Sequence, residues 1–386
     1  MAVLPRVEIN LEKIRHNAKT LKQLFGRKGI SITGVVKGVA ADLKIAGTLV
    51  DAGIKSLADS KIANIEKMRK AGIKADLILL RAPGISEAEK TVRFADISMN
   101  TELDTIRALS AEAVRQQKTH KIILMVEMGD LREGILLKDA PAVIREILTC
   151  PGIELAGIGT NFACFGGVLP TEQKMQAFSR FVHAMQELFS LKLPYVSGGN
   201  SANYNWAVKT KDAGAVNNVR LGESILLGRE TSGGHTIPSL YQDAFCFVAE
   251  VIESKIKPSV PYGTIGKNAF GEQVTFIDRG NRRRTIVSAG RHDVLVSGLT
   301  PVRPFHIIGS SSDHIILDTQ NAVLVPGDEV RFYMDYGAML RAMTSPYVYK
   351  TYVHGAATTK PYKQQFLLSR GTKQSRPAET EKSPAN

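Results

Sequence analysis

The chain has 386 residues, 44% of them apolar, and a formal net charge of +13. One core stops growing at roughly 250 to 300 residues, so two domains are expected, with enough apolar side chains to fill both. The opening M-A-V-L-P-R-V-E-I-N-L is charged every few residues and no apolar run reaches the ~20 residues a bilayer needs, which argues against a secretion signal or a membrane helix.

Three cysteines, Cys150, Cys164 and Cys246, are too scattered for a disulfide framework, and none forms a C-x-x-C pair. A reducing cytoplasm is the expected compartment, with no metal site. The basic residues are spread along the chain, with six in the last 27. That pattern argues against a nucleic-acid partner and for solubility or the recruitment of anionic ligands.

In chain order, short β-branched runs predict strands at Ile32–Val36, Ser56–Ala58, Asp76–Leu80, Asp96–Met99, Ile122–Glu127, Leu155–Thr160, Pro194–Ser197 and Asn218–Leu221. Between them Leu43–Asp51, Lys61–Lys70, Glu102–Gln117, Pro141–Leu148 and Thr171–Ser190 carry apolar residues at helical spacing. Eight strands alternating with helices are the count of a closed parallel (β/α)8 barrel. The alternative, an open doubly wound sheet, lacks its G-x-G-x-x-G turn here. After Gly234 the pattern changes to strands at Phe245–Val251, Val274–Asp278, Thr285–Ala289, His306–Ile308, His314–Asp318 and Glu329–Met334, with no helix before Ala338. The expected organisation is an α/β barrel over 1–235, a smaller antiparallel β domain over 236–355 against which the first few residues pack, and a polar, disordered tail over 356–386.

Lys37 ends the first barrel strand, where such barrels carry catalytic groups. A strand-end lysine is ordinarily a solvated charge, but the loops after strands seven and eight, S-G-G-N-S-A-N at 197–203 and R-L-G-E-S at 220–224, offer small residues and free backbone donors where barrels bind phosphate. Together they suggest pyridoxal 5'-phosphate held on Lys37.

V-V-K-G-V-A resembles the lysine motif of the alanine racemase fold, the type III class of pyridoxal-phosphate enzymes. E-M-G-D-L-R-E-G at 127–134, G-T-N-F-A-C-F at 159–165 and A-M-T-S-P-Y-V near the end are similar to its ornithine racemase-like branch of predicted amino-acid racemases. The resemblance implies that Lys37 binds the cofactor covalently and serves as one proton carrier. It implies that Arg132 faces the cofactor's phenolic oxygen, with a salt bridge to Glu133 or Asp130 as the structural alternative. Ser201 and Gly222 match the phosphate site, although a helix N-cap at Ser201 gives the same sequence. Tyr336 matches a tyrosine that reaches the phosphate, and a core tyrosine at a strand-to-helix turn looks the same. Arg220 falls beside the pyridine nitrogen, where decarboxylases of this fold carry a glutamate; a guanidinium there favours racemisation.

The pattern departs from alanine racemases at three places, the first being that the lysine motif lacks the tyrosine that follows it by a few residues in that family. Asn161 replaces the histidine of T-H-F-A, so its contact with the cofactor ring is supplied elsewhere or by hydrogen bonds. V-P-Y-G-T-I-G replaces the motif of the second base, leaving Thr264 at the aligned position. Two faces of one carbon need two opposed proton carriers, and Tyr262 is the candidate, with Asp313 and His314 behind it. The expectation is a homodimeric amino-acid racemase with active sites at the interface, acting on ornithine, lysine, alanine or serine. A decarboxylase of a basic amino acid and a non-catalytic pyridoxal-phosphate carrier are the alternatives. A distal ammonium would need a carboxylate, and Glu127, Asp130, Asp313 and Glu223 are candidates.

Overall fold

The computed structural model describes residues 3–353; the tail expected at 356–386 lies outside the described residues. Strand β1 (Arg6–Asn10) leads into helix α1 (Leu11–Gly26), where the Asn10 side chain accepts from the Lys13 N–H at 3.0 Å and so caps the first turn.

The barrel strands are β2 (Ser31–Val35), β3 (Ser56–Asp59), β4 (Asp76–Leu79), β5 (Ile97–Asn100), β6 (His120–Met125), β7 (Ile153–Gly159), β8 (Tyr195–Ser197) and β9 (Asn218–Leu221), and they close in chain order. Helices α2 (Leu43–Asp51), α3 (Ile62–Lys70), α4 (Ala88–Phe94), α5 (Leu103–Arg115), α6 (Ala140–Ile147), α7 (Glu172–Phe189), α8 (Tyr204–Lys209) and α9 (Glu223–Leu227) alternate with them. Side chains pointing inward, among them Val35, Ala58, Ile78, Met99 and Ile123, fill the interior. Alternate residues face the helices and join the larger core. This two-sided burial is why the strands read as short apolar runs, and why each expected strand overlaps an observed one to within two residues.

One rung of the barrel interior is polar. Asn218 donates to Thr33 Oγ1 at 3.0 Å, Thr33 and Ser56 share a hydrogen bond of 2.8 Å, and the Ser197 hydroxyl donates to Asn218 Oδ1 at 2.8 Å. The rung ends under the barrel mouth, at Arg220.

The second sheet has eight strands. β10 (Phe245–Pro258), β11 (Asn281–Val287), β12 (Leu299–Pro301), β13 (His306–Ser310), β14 (Ile315–Asp318) and β15 (Glu329–Met334) run in the order β12-β15-β10-β11-β14-β13. β1 pairs antiparallel with β10 and parallel with β16 (Tyr349–Val353), so the first strand of the chain belongs to this sheet.

Val274–Asp278 is not a strand. β10 runs on to Pro258, opposite Asn281, and leaves 259–280 as a long hairpin loop on which Ile277 is 70% exposed. Residues 274–278 make no strand pairing, although 274–277 line a groove with His306, Ile307 and Ile308 of the edge strand β13. Helix α10 (Tyr336–Thr344) begins two residues before the expected Ala338, because the Asp335 side chain caps it by accepting from Ala338 N–H at 2.8 Å. No helix of the described residues is long and apolar enough to cross a membrane.

Candidate active site

At the carboxyl ends of the barrel strands lies a cavity of about 380 Å³, a size ordinary for a small-molecule site. Lys37, Arg132, Asn161, Ser201, Arg220, Gly222 and Tyr336 all line it. They come from the loops after β2, β6, β7, β8 and β9, from β9 itself at Arg220 and from the start of α10, so side chains about three hundred residues apart converge on one space.

Lys37 opens a short 3-10 turn, Lys37–Val39, directly after β2. Gly38 leaves room beside it: a Cβ there would lie 3.1 Å from Tyr336 Cε2 and 3.2 Å from Met339 Cε, closer than side chains ordinarily pack, so glycine eases the approach of the Tyr336 ring to the lysine turn. The Lys37 side chain opens into the cavity and is exposed to solvent there, with protein packed around its stem. Burial lowers its pKa, and the Arg132 and Arg220 cations push the same way, against Cys164 and Asp59, which raise it. A lowered lysine is a better nucleophile and proton acceptor near neutrality.

Arg220 is 4% exposed. It donates to Ser197 Oγ at 2.5 Å, to the Thr160 carbonyl at 2.8 Å and to Asn161 Oδ1 at 2.5 Å. Burial pulls it down to about 10, which still leaves the guanidinium charged at neutral pH. The polar rung therefore ends in a fixed cation beneath the cavity.

Two loops carry Arg132 and Asn161. The loop after β6 is pinned by the Ile135 N–H on the Met125 carbonyl at 2.9 Å and by Gly134, whose φ of +153° and contact with the Val126 and Glu127 backbone admit no side chain. Buried Asp130 ties it to the loop after β7 by accepting from Cys164, Phe165 and Val168 N–H groups at 3.1, 2.9 and 3.3 Å. Arg132 makes the ion pair with Glu133 that was its structural alternative, and it also lines the cavity. Burial opposes the Arg132 charge, but the Glu133 hydrogen bonds prevail and raise its pKa.

Ser201 is not an N-cap. Asn200 caps that turn, accepting from Ala202 N–H at 2.8 Å, and leaves the Ser201 hydroxyl paired with Ser224 Oγ at 3.1 Å at the cavity edge. Tyr336 is pushed up to about 12, by burial first and by Glu223 next, and therefore stays a hydroxyl donor.

Glu223, from the start of α9, is the carboxylate of the cavity lining; burial raises it to about 7, while Arg229 draws it back down. Of the other carboxylates considered for a distal ammonium, Asp130 is committed to its three N–H donors and Glu127 accepts from Gly129 N–H. Cys164 also lines the cavity, its sulfur accepting from Asn200 Nδ2 at 3.1 Å. Its spacing suits neither a disulfide nor a C-x-x-C pair, and its place three residues after Asn161 is the signal in the sequence that it reaches the cavity.

Tyr262, Asp313 and His314 do not reach this cavity within one chain. Tyr262 is 91% exposed on the 259–280 loop. Asp313 pairs with His292 Nδ1 at 3.2 Å, and His314 with Ser311 at 3.2 Å.

The donor set suits an anionic, carbonyl-bearing cofactor. A lysine of lowered pKa shares the cavity with two arginines and with the hydroxyls of Ser201, which also pairs with Ser224, and Tyr336.

The alanine racemase N-terminal domain family matches residues 9–230. Over 352 residues the chain is 39% identical to a lysine racemase of Thermotoga maritima, covering 91% of this chain and 99% of that one. It is likewise 39% identical over 350 residues to an ornithine racemase of Acetoanaerobium sticklandii, covering 90% and 99%. A crystal structure of alanine racemase from Bacillus anthracis superposes with a TM-score of 0.72 over 92% of this chain and 97% of that one, at 17% identity, a likeness of fold.

Proposed function

The chain belongs to the alanine racemase family and is an amino-acid racemase; on that premise we propose that its substrates are the basic amino acids lysine and ornithine, and that it uses pyridoxal 5'-phosphate in a homodimer. The observation that carries the substrate reading is the 39% identity, over nine-tenths of the chain, to relatives named lysine racemase and ornithine racemase. Glu223 supports it from the chain's own chemistry, as a cavity carboxylate that an alanine substrate would not need.

Lys37 would hold the cofactor, Ser201, Gly222 and Tyr336 its phosphate, Arg220 its ring nitrogen and Arg132 its phenolic oxygen. Bound there, pyridoxal phosphate supplies electron withdrawal that acidifies the hydrogen on the substrate's α-carbon. The chain's part is proton management. The Lys37 amine, its pKa lowered by desolvation and by the two arginines, takes or returns the proton on one face. The opposite face needs a second carrier, and Tyr262, exposed on its loop, is suited to serve the cavity of a second copy.

Arg220 disfavours the decarboxylase alternative, since a group that remains a cation cannot lend the ring an extra proton. The eight-stranded sheet beyond the barrel weighs against a simple carrier. A racemisation screen of free amino acids tests the substrate reading. Lysine and ornithine are expected to exceed alanine by about tenfold or more in kcat/KM, the worth of one charge-assisted hydrogen bond. Preference for alanine or serine would overturn it.

A further inference from the structure

The two arginines of the cavity are joined by one carboxylate and one amide. Glu133 accepts from Arg132 through both of its oxygens and from Asn161 Nδ2 at 3.0 Å, while Asn161 Oδ1 accepts from Arg220 Nη2 at 2.5 Å. Partner chemistry alone orients this amide. A carboxylate only accepts and a guanidinium only donates, so the Asn161 nitrogen must face Glu133 and its oxygen must face Arg220. Were Glu133 removed, the amide would be free to turn, and its NH2 group would then meet the Arg220 donors.

Glu133 also supplies the nearby negative charge. It raises the pKa of Arg132 by hydrogen bonding and that of Arg220 through space. Without it, two guanidinium groups and Lys37 would share the cavity with less compensation. No single element fixes this arrangement: the loop after β6 brings Arg132 and Glu133, the loop after β7 brings Asn161, and β9 brings Arg220.

We propose that Glu133 is a positioning residue for both arginines, acting on Arg132 directly and on Arg220 through the Asn161 amide. The inference rests on the racemase reading, in which those arginines face the cofactor. It explains what Asn161 does in this chain, since an uncharged amide can relay between a carboxylate and a cation in only one orientation.

The test compares Glu133→Ala and Glu133→Gln with the wild type, each loaded with pyridoxal phosphate, by the pH dependence of the bound cofactor's visible absorbance and by kcat/KM. Loss of the carboxylate leaves a more positive surrounding, which favours deprotonated forms, so the apparent pKa of the absorbance change is expected to fall in E133A. kcat/KM is expected to fall about 10- to 100-fold, the usual effect of removing a group that orients a functional one. E133Q should lie between, because the Gln carbonyl still accepts from Asn161 while its NH2 group opposes Arg132 Nε. In a Asn161→Ala background the E133A effect should shrink, since part of it travels through the amide.

A folded E133A with a wild-type absorbance profile and kcat/KM within twofold would overturn the proposal; if E133A does not fold, the same result from E133Q would. The absorbance titration is independent of turnover. A wild type that binds the cofactor and racemises nothing would remove the racemase reading while the titration still decides the role of Glu133.

Discussion

Glu223→Gln separates the charge of this carboxyl from its shape. Burial lifts Glu223 from an ordinary 4.5 to about 7, with Arg229 opposing and Asp335 and Glu230 adding to the rise. Between those two values the folded chain holds a proton that the unfolded chain has released. The stability Glu223 gives is therefore complete below about pH 4.5 and is lost as pH rises through about 7. At ~1.4 kcal/mol per pH unit the ceiling is ~3.5 kcal/mol. Solvent at the open side of the cavity reduces this, and ~1 to 2 kcal/mol is expected between about pH 5 and pH 8. The glutamine variant has no such proton to lose. Chemical denaturation of the cofactor-free protein at one fixed concentration should give E223Q a stability advantage that grows by that amount from about pH 5 to pH 8. A difference that stays constant with pH, or a variant less stable at about pH 8, would refute the reasoning and mean that Glu223 is ionised and paired in the folded state. With lysine or ornithine as substrate, the same variant should raise KM more than it lowers kcat.

Lys37→Ala should abolish racemisation by at least about a thousandfold and remove the cofactor's attachment-dependent absorbance, read by spectrum and turnover together. Ser201→Ala and Tyr336→Phe should each weaken cofactor affinity about tenfold while leaving the fold intact, as measured by titration of cofactor-free protein. If Tyr262 serves a second copy, inactive Lys37→Ala and Tyr262→Phe chains, mixed equally and allowed to exchange, should recover about a quarter of wild-type activity through dimers with one complete site. Cys164→Ser should lose less than about tenfold, because a hydroxyl keeps the bond from Asn200; an inactive C164S beside an active Y262F would move the second proton carrier to the thiol.

The barrel was legible because its strands are buried on both faces and its helices on one, so local periodicity records each of them. Asn218–Leu221 and Leu43–Asp51 coincide with the observed ends, and the seven residues expected at the cofactor site line one cavity. Pairing over long separations left a fainter mark: the first residues were expected to pack on the second domain, but not as a strand inside its sheet. R-V-E-I-N became a strand of the second sheet through Phe245 to Val248, some 240 residues on. V-T-F-I-D has the composition of a strand, yet it lies in the loop between β10 and β11 and pairs with neither. The bridge from Glu133 through Asn161 to Arg220 was equally hidden, since it depends on which loops meet above the barrel. The motifs named Asn161 as a departure, but only the geometry assigns it two hydrogen bonds.

The central claim, that the chain moves the α-proton of a basic amino acid off one face and returns it to the other, is tested most directly by incubating L-lysine and L-ornithine with the cofactor-loaded protein in D2O. The account predicts that the D-enantiomer appears with deuterium at the α-carbon and that no carbon dioxide is released. Retention of the α-hydrogen without any D-enantiomer, or release of carbon dioxide with loss of the carboxylate, would contradict it.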